Sequence, residues 1–269
     1  MFSYMRPCLL VLVFCLLSAL AFSQSDSPSA LYDRGMIALT AMGPVHNDQQ
    51  GLDMLRRSAL RSYAPAQTAL GYYYETGTLV QNDLGQAIDF YRKAAIQGDP
   101  LGSWLLGRRY YLGNGGQRDL DSAAKALKNA AAQNNPFAAY LLGRIMAERD
   151  FTKAPALYKV AADQGLPQAQ YFYARALKEG RGVPQDRFTA YVWFTIALDA
   201  NYTAANADLA DIRSSAEMSL QQVADAQARA HELELVVIRA VNSRGCAGWD
   251  GELDEIPAPP PPPLHAYCH

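Results

Sequence analysis

Leu70-Gly71-Tyr72-Tyr73-Tyr74 returns 36 residues on as Leu106-Gly107-Arg108-Arg109-Tyr110, and after 36 more as Leu142-Gly143-Arg144-Ile145-Met146. A fourth copy, Tyr173-Ala174-Arg175-Ala176-Leu177, follows after 31, with degenerate copies at Arg34-Gly35 and Leu209-Ala210. Asp83, Asp119, Asp150 and Asp186 keep steps of 36, 31 and 36, and so do Ala94-Ala95, Ala130-Ala131, Ala161-Ala162 and Ala197-Leu198. Three landmarks sharing one irregular step define an internal repeat, the mark of stacked supersecondary units.

Each unit reads as two helices. In the second copy, Gly102 to Leu112 carries Leu105, Leu106 and Tyr110 on an apolar stripe with helical spacing. Gly113-Asn114-Gly115-Gly116 breaks that helix. Asp119 then stands where an N-cap carboxylate would accept from unpaired backbone N–H groups. Ala123, Ala126, Leu127, Ala130 and Ala131 give the second helix its buried face, and Asn134-Asn135-Pro136 ends it. The small residues at fixed places let the paired helices approach closely. A single pair cannot bury its apolar face, so neighbouring pairs must stack.

Gly180-Arg181-Gly182-Val183-Pro184-Gln185-Asp186 with Trp193-Phe194, and Ala66 to Gly98 ending in Tyr91-Arg92-Lys93-Ala94-Ala95-Ile96-Gln97-Gly98, carry a recognisable signature. The chain resembles Sel1-like repeat proteins, relatives of tetratricopeptide repeats, over residues 29 to 243, and Met218 to Leu233 is similar to the terminal cap of bacterial members. The resemblance implies an all-α fold: a right-handed α/α superhelical solenoid over residues 29–244, with about five helix pairs and a C-terminal capping helix. The third copy departs from the pattern. Ala147-Glu148-Arg149-Asp150 replaces the Gly-x-Gly hairpin, which accounts for the 31-residue step and should tighten the turn.

The resemblance also implies a protein partner held in a concave groove lined by the first helix of each pair. The positions two before and two after the Leu of each Leu-Gly pair form an i, i+4 couple on one helix face. They read Thr68, Trp104, Tyr140 and Tyr171, then Tyr72, Arg108, Arg144 and Arg175. Tyr, Trp and Arg dominate binding energy at interfaces, by about 2 kcal/mol or more per hot spot. The predicted protein-binding lining is therefore Tyr72, Trp104, Arg108, Tyr140, Arg144, Tyr171 and Arg175. The competing expectation is that these side chains pack against adjacent helices.

The two ends of the sequence differ from the repeats. Arg6 precedes the apolar run Cys8 to Phe22, which is shorter than the roughly 20 residues a membrane span needs. Residues 1–23 thus read as a signal peptide cut after Ala21 or Ser23, with 24–28 a short linker. That predicts a periplasmic or secreted protein with no membrane insertion after cleavage. Removing Arg6 leaves 23 basic against 26 acidic side chains, a net of -3. Residues 245–269 form an acidic tail with prolines at 257 and 259 to 263, predicted to be disordered. Cys246 and Cys268 are the cysteines left after cleavage, a candidate disulfide in an oxidising compartment.

Composition excludes several functions. With 24 basic against 26 acidic residues, the protein lacks the positive excess of a nucleic-acid binder. His265 and His269 flank Cys268, but a fourth ligand is missing, so no metal site is expected. No nucleophile elbow, Walker loop or dinucleotide fingerprint occurs, so neither catalysis nor a cofactor is expected. The expected function is a non-catalytic interaction scaffold or regulator whose partner is an envelope component or a secreted effector. Resemblance to bacterial immunity proteins of the same layout offers an alternative, inhibition of a secreted lipase-type toxin. A β-lactam-hydrolysing role, known in cysteine-rich relatives, lacks their paired repeat cysteines here.

Overall fold

The computed structural model describes residues 27–41, 43–113, 118–215 and 218–243. Among them all regular structure is helical: twelve α-helices and two short 3-10 turns. The expected leader (1–23), Cys246, Cys268, the proline-rich tail and Asn114 to Gly116 lie outside the described residues. The protein divides into two compact units, one ending at Gln97 and one beginning at Gly98.

The first unit holds α1 (Pro28–Thr40), α2 (Asp48–Leu60), α3 (Ala64–Thr76) and α4 (Leu84–Ile96). Helix α1 starts one residue inside the expected linker, because the Ser27 hydroxyl accepts from the Ala30 N–H at 3.1 Å. Successive helices pack: α1 on α2, α2 on α3, and α3 on α4. Glycines set the spacing of each pair. A Cβ on Gly35 would lie 3.0 Å from the Gly51 carbonyl, and one on Gly71 would lie 2.5 Å from the Tyr91 ring. Leu55, Leu70 and Tyr73 fill the core, and Gln67 Nε2 donates to the Ala59 carbonyl at the end of α2.

The second unit continues the pattern with α5 (Pro100–Leu112), α6 (Leu120–Ala132), α7 (Pro136–Arg149), α8 (Ala154–Ala162), α9 (Pro167–Glu179) and α10 (Arg187–Asp199). Two more helices close it, α11 (Ala205–Ser214) and the 24-residue α12 (Leu220–Ser243). Gly107 sits under Leu127 and Gly143 under Tyr158, where a Cβ would come within 2.5 Å and 2.7 Å. Helix α12 packs on α10 through a face that includes Ala226 and Ala230. No described helix is long and apolar enough to cross a membrane.

The aspartate landmark is a capping device. Asp83, Asp119 and Asp186 accept from the backbone N–H three residues on at 3.0, 2.9 and 2.9 Å. Each also ties its own N–H back to the first helix of its pair, on the carbonyls of Tyr74, Tyr110 and Leu177. The short third copy solves the junction differently. Helix α7 runs on to Arg149, Asp150 N–H bonds to Met146 within the same helical path, and the Asp150 carboxylate caps a 3-10 turn, Phe151–Lys153. Gly182 of the next hairpin, at φ +74, lies over that turn, and the Arg181 guanidinium stacks 3.8 Å from the Phe151 ring.

A further periodic device sits between the pairs. Ser62, Gly98, Asn134, Gly165 and Asn201 all take positive φ, in the same 36-36-31-36 spacing. The next N–H reaches back to the preceding helix, as Tyr63 to Ser58 and Asn135 to Ala130, which is the Schellman way of satisfying terminal carbonyls.

Candidate functional site

Helices α5, α7 and α9 are the first helices of the three pairs in the second unit, and the predicted lining residues of that unit lie on them. Their side groups meet across the repeats. Trp104 of α5 stands 5.4 Å from Phe137 of α7, and Tyr140 of α7 stands 6.0 Å from Phe172 of α9. Phe172 also stacks on Tyr158 at 5.4 Å, so Tyr140, Tyr158 and Phe172 form one aromatic floor. Tyr171 packs at 5.0 Å from Tyr202 and 5.6 Å from Phe194.

Burial sorts the predicted residues. Trp104 is 1% exposed and Arg108 8%, so two residues expected to face a partner are packed inside instead. The physical reason for Trp104 is that the following pair covers it through Phe137. Tyr140 is also buried, as is Thr68 of the first unit. Tyr171, Arg144 and Arg175 remain half-buried, with surface left to touch. Tyr72 is likewise half-buried but belongs to the first unit, where it stands edge-on to Tyr73 at 5.8 Å.

The two half-buried arginines differ in their partners. Arg175 pairs with Glu179 at 2.9 Å while its guanidinium lies 5.9 Å from the Tyr171 ring. Arg144 donates to the Tyr140 hydroxyl at 3.0 Å and lies 5.1 Å from the Phe172 ring. Burial alone would lower the Arg144 pKa, but Tyr140, Tyr111 and Tyr158 around it raise it overall, so the charge is held firmly. Burial pushes the Tyr158 phenol well above its usual range. A guanidinium over a ring gains about 0.5–2 kcal/mol, more as water is excluded.

The structure adds residues that the repeat reading did not single out. Phe172 occupies a core slot held by Ala69, Leu105 and Leu141 in the other copies, and that aromatic change is its one visible signal. Beyond the last full copy, Asp208 and Asp211 of α11 hold Lys178 of α9 at 2.8 and 2.6 Å, with Lys178 and Asp208 16% and 17% exposed. Burial opposes the Lys178 charge, yet the two carboxylates raise its pKa overall.

The Sel1 repeat family model matches residues 64–99, 100–135, 136–166 and 167–202, more than half of the sequence, with the third match the short one. The protein is similar in structure to a protective antigen of uropathogenic Escherichia coli displaying an SLR fold, at a TM-score of 0.67 and 24% identity. That likeness covers 87% of this protein but only 52% of the antigen, so this protein spans about half of its length. A Sel1 repeat protein from Oxalobacter formigenes superposes at 0.62 and 24% identity, covering 77% of this protein and 88% of that one. An immunity protein from Pseudomonas aeruginosa superposes at 0.41 with 19% identity over 78% of this protein and 81% of its own length, too loosely to bear on function. No curated protein matches the sequence significantly. Matching repeats, including the short third one, on a helix-pair fold shared with solved relatives make this chain a member of the Sel1 repeat family.

Proposed function

We propose that this Sel1 repeat scaffold works outside the cytoplasm, in the periplasm or after secretion, by holding a protein partner against the first-helix face of α5, α7 and α9. One observation carries the reading. Arg144 and Tyr171 keep exposed surface against a packed aromatic floor formed by Tyr140, Tyr158 and Phe172, and Arg175 lies over Tyr171. Such a floor fixes the presented groups without leaving them to collapse, which limits the side-chain ordering lost on binding. The apolar run at Cys8 to Phe22 supports export.

Affinity capture from an envelope extract tests this, comparing the wild type with an Arg144→Gln/Arg175→Gln double variant. A specific partner held by the wild type should be lost by the variant at unchanged helical content. Equal capture by a folded variant would move the binding surface elsewhere.

A further inference from the structure

Several guanidinium groups of this unit are paired with a carboxylate, and Arg213, which donates to the Tyr191 hydroxyl at 2.7 Å, is exposed. Arg175 has Glu179, Arg118 has Glu148 at 3.2 Å, Arg149 has Asp121 at 2.7 Å, and Arg181 has Glu179. Arg144 is half-buried and forms no ion pair with a carboxylate among the described residues; its hydrogen bond goes to the neutral Tyr140 hydroxyl. Glu148, one turn further along α7, is already engaged by Arg118. A partly desolvated charge without a counter-charge is costly unless something compensates it. One N–H of the planar fork is used by Tyr140, which leaves donors in a geometry suited to a carboxylate. The rings of Phe172 at 5.1 Å and Tyr140 at 5.9 Å hold the guanidinium plane. They also thin the water around it, strengthening any charge pair formed there.

We propose that Arg144 is the carboxylate anchor of the binding face: it receives an acidic group of the protein partner, an Asp or Glu carboxylate or the partner's terminal carboxylate, above the aromatic floor. This rests on the protein-binding reading of the same face and names the chemistry that the partner brings to it. Arg175 does not serve as the anchor, because Glu179 already occupies its guanidinium.

The test is binding to an array of short random-sequence peptides synthesised with free or amidated C-termini. Wild-type protein should enrich peptides bearing Asp or Glu, or free carboxyl ends, and the two sets separate a side-group source from a terminal one. Arg144→Gln should weaken those peptides roughly tenfold, as the loss of one charge-assisted contact implies, and should abolish the acidic preference. Arg144→Lys should keep part of the affinity, and Arg149→Gln, at a guanidinium paired with Asp121, should keep the preference. Helical content and melting temperature verify that each variant is folded. Peptides bound without acidic preference, or with a preference that survives in folded Arg144→Gln, would overturn the anchor and leave the binding face standing. No peptide bound under any condition would overturn both.

Discussion

Gly143 and Tyr158 touch where no other residue than glycine fits: a Cβ at position 143 would stand 2.7 Å from the Tyr158 ring. Tyr158 in turn stacks under Phe172 and lies 6.2 Å from Tyr140. This tight contact within the α7–α8 pair is thus also the foundation of the floor beneath Arg144.

Gly143→Ala should therefore cost stability and binding together. Overpacking a filled site is expected to destabilise by about 2 kcal/mol, read as a shift of the urea midpoint at constant slope. Peptide affinity of the surviving folded protein should fall as well, because the ring that carries the floor must move. A variant of full stability would show that the pair relaxes freely at this point.

Trp104 makes a sharper test of what packing does here. Its indole Nε1 finds no hydrogen-bond partner among the described residues, although the residue is 1% exposed. Trp104→Phe removes that orphaned donor while keeping most of the apolar volume, so the change should be within about 1 kcal/mol of neutral. Trp104→Ala empties the site and should cost about 3–5 kcal/mol. Thermal and urea unfolding of the two variants would separate them; similar losses would mean that the indole N–H has a partner after all.

Lys178 links α9 to α11 through Asp208 and Asp211. Lys178→Met should destabilise by about 2 kcal/mol, because Asp208 would keep its charge in a mostly buried place without compensation. Adding Asp208→Asn should return much of that loss. A double-mutant cycle with no coupling energy would reduce the bridge to ornament.

The helix caps and Asp211 predict an acid limb. Hydrogen bonds from Gln86, Ser122 and Thr152 hold the carboxyls of Asp83, Asp119 and Asp150 below the usual range, and Lys178 does the same for Asp211. A carboxylate depressed in the folded state contributes stability above its unfolded value of about 4, and that contribution fades as pH falls through the lowered folded value. Urea midpoints should hold steady down to about pH 4 and then decline. Replacing Asp83, Asp119 and Asp150 by Asn keeps a cap acceptor but removes the titration, and should flatten the decline. At the other extreme, burial pushes the Tyr73 phenol up to about 12, with Tyr72 adding to it. A raised phenol contributes fully below about pH 10 and fails as pH climbs through its folded value, which tyrosinate absorbance would follow.

The helix pairs, the Asp119 cap and the glycine contacts could be read along the sequence because each rests on a few neighbouring residues. The 31-residue step even located the tightened turn at Asp150. The positive-φ joints were harder to see, since Ser62, Asn134 and Asn201 take a conformation usually reserved for glycine. The burial of Trp104 follows the competing expectation, packing against an adjacent helix, which one repeat could not decide for a different reason. It depends on Phe137, a residue of the next module, and an i, i+4 rule on one helix says nothing about what lies on top of it. Lys178 and its two aspartates belong to the same class, because α11 follows the last full copy.

The clipped junction at Asp150 gives the array an address. Tandem modules of equal length invite misregistration, in which one unit docks where its neighbour belongs. Here Gly182 and Arg181 rest on the Phe151–Lys153 turn, which the short module has in place of the Gly-x-Gly hairpin, so the fourth module fits against the third. Five missing residues thus act as a key that orders assembly.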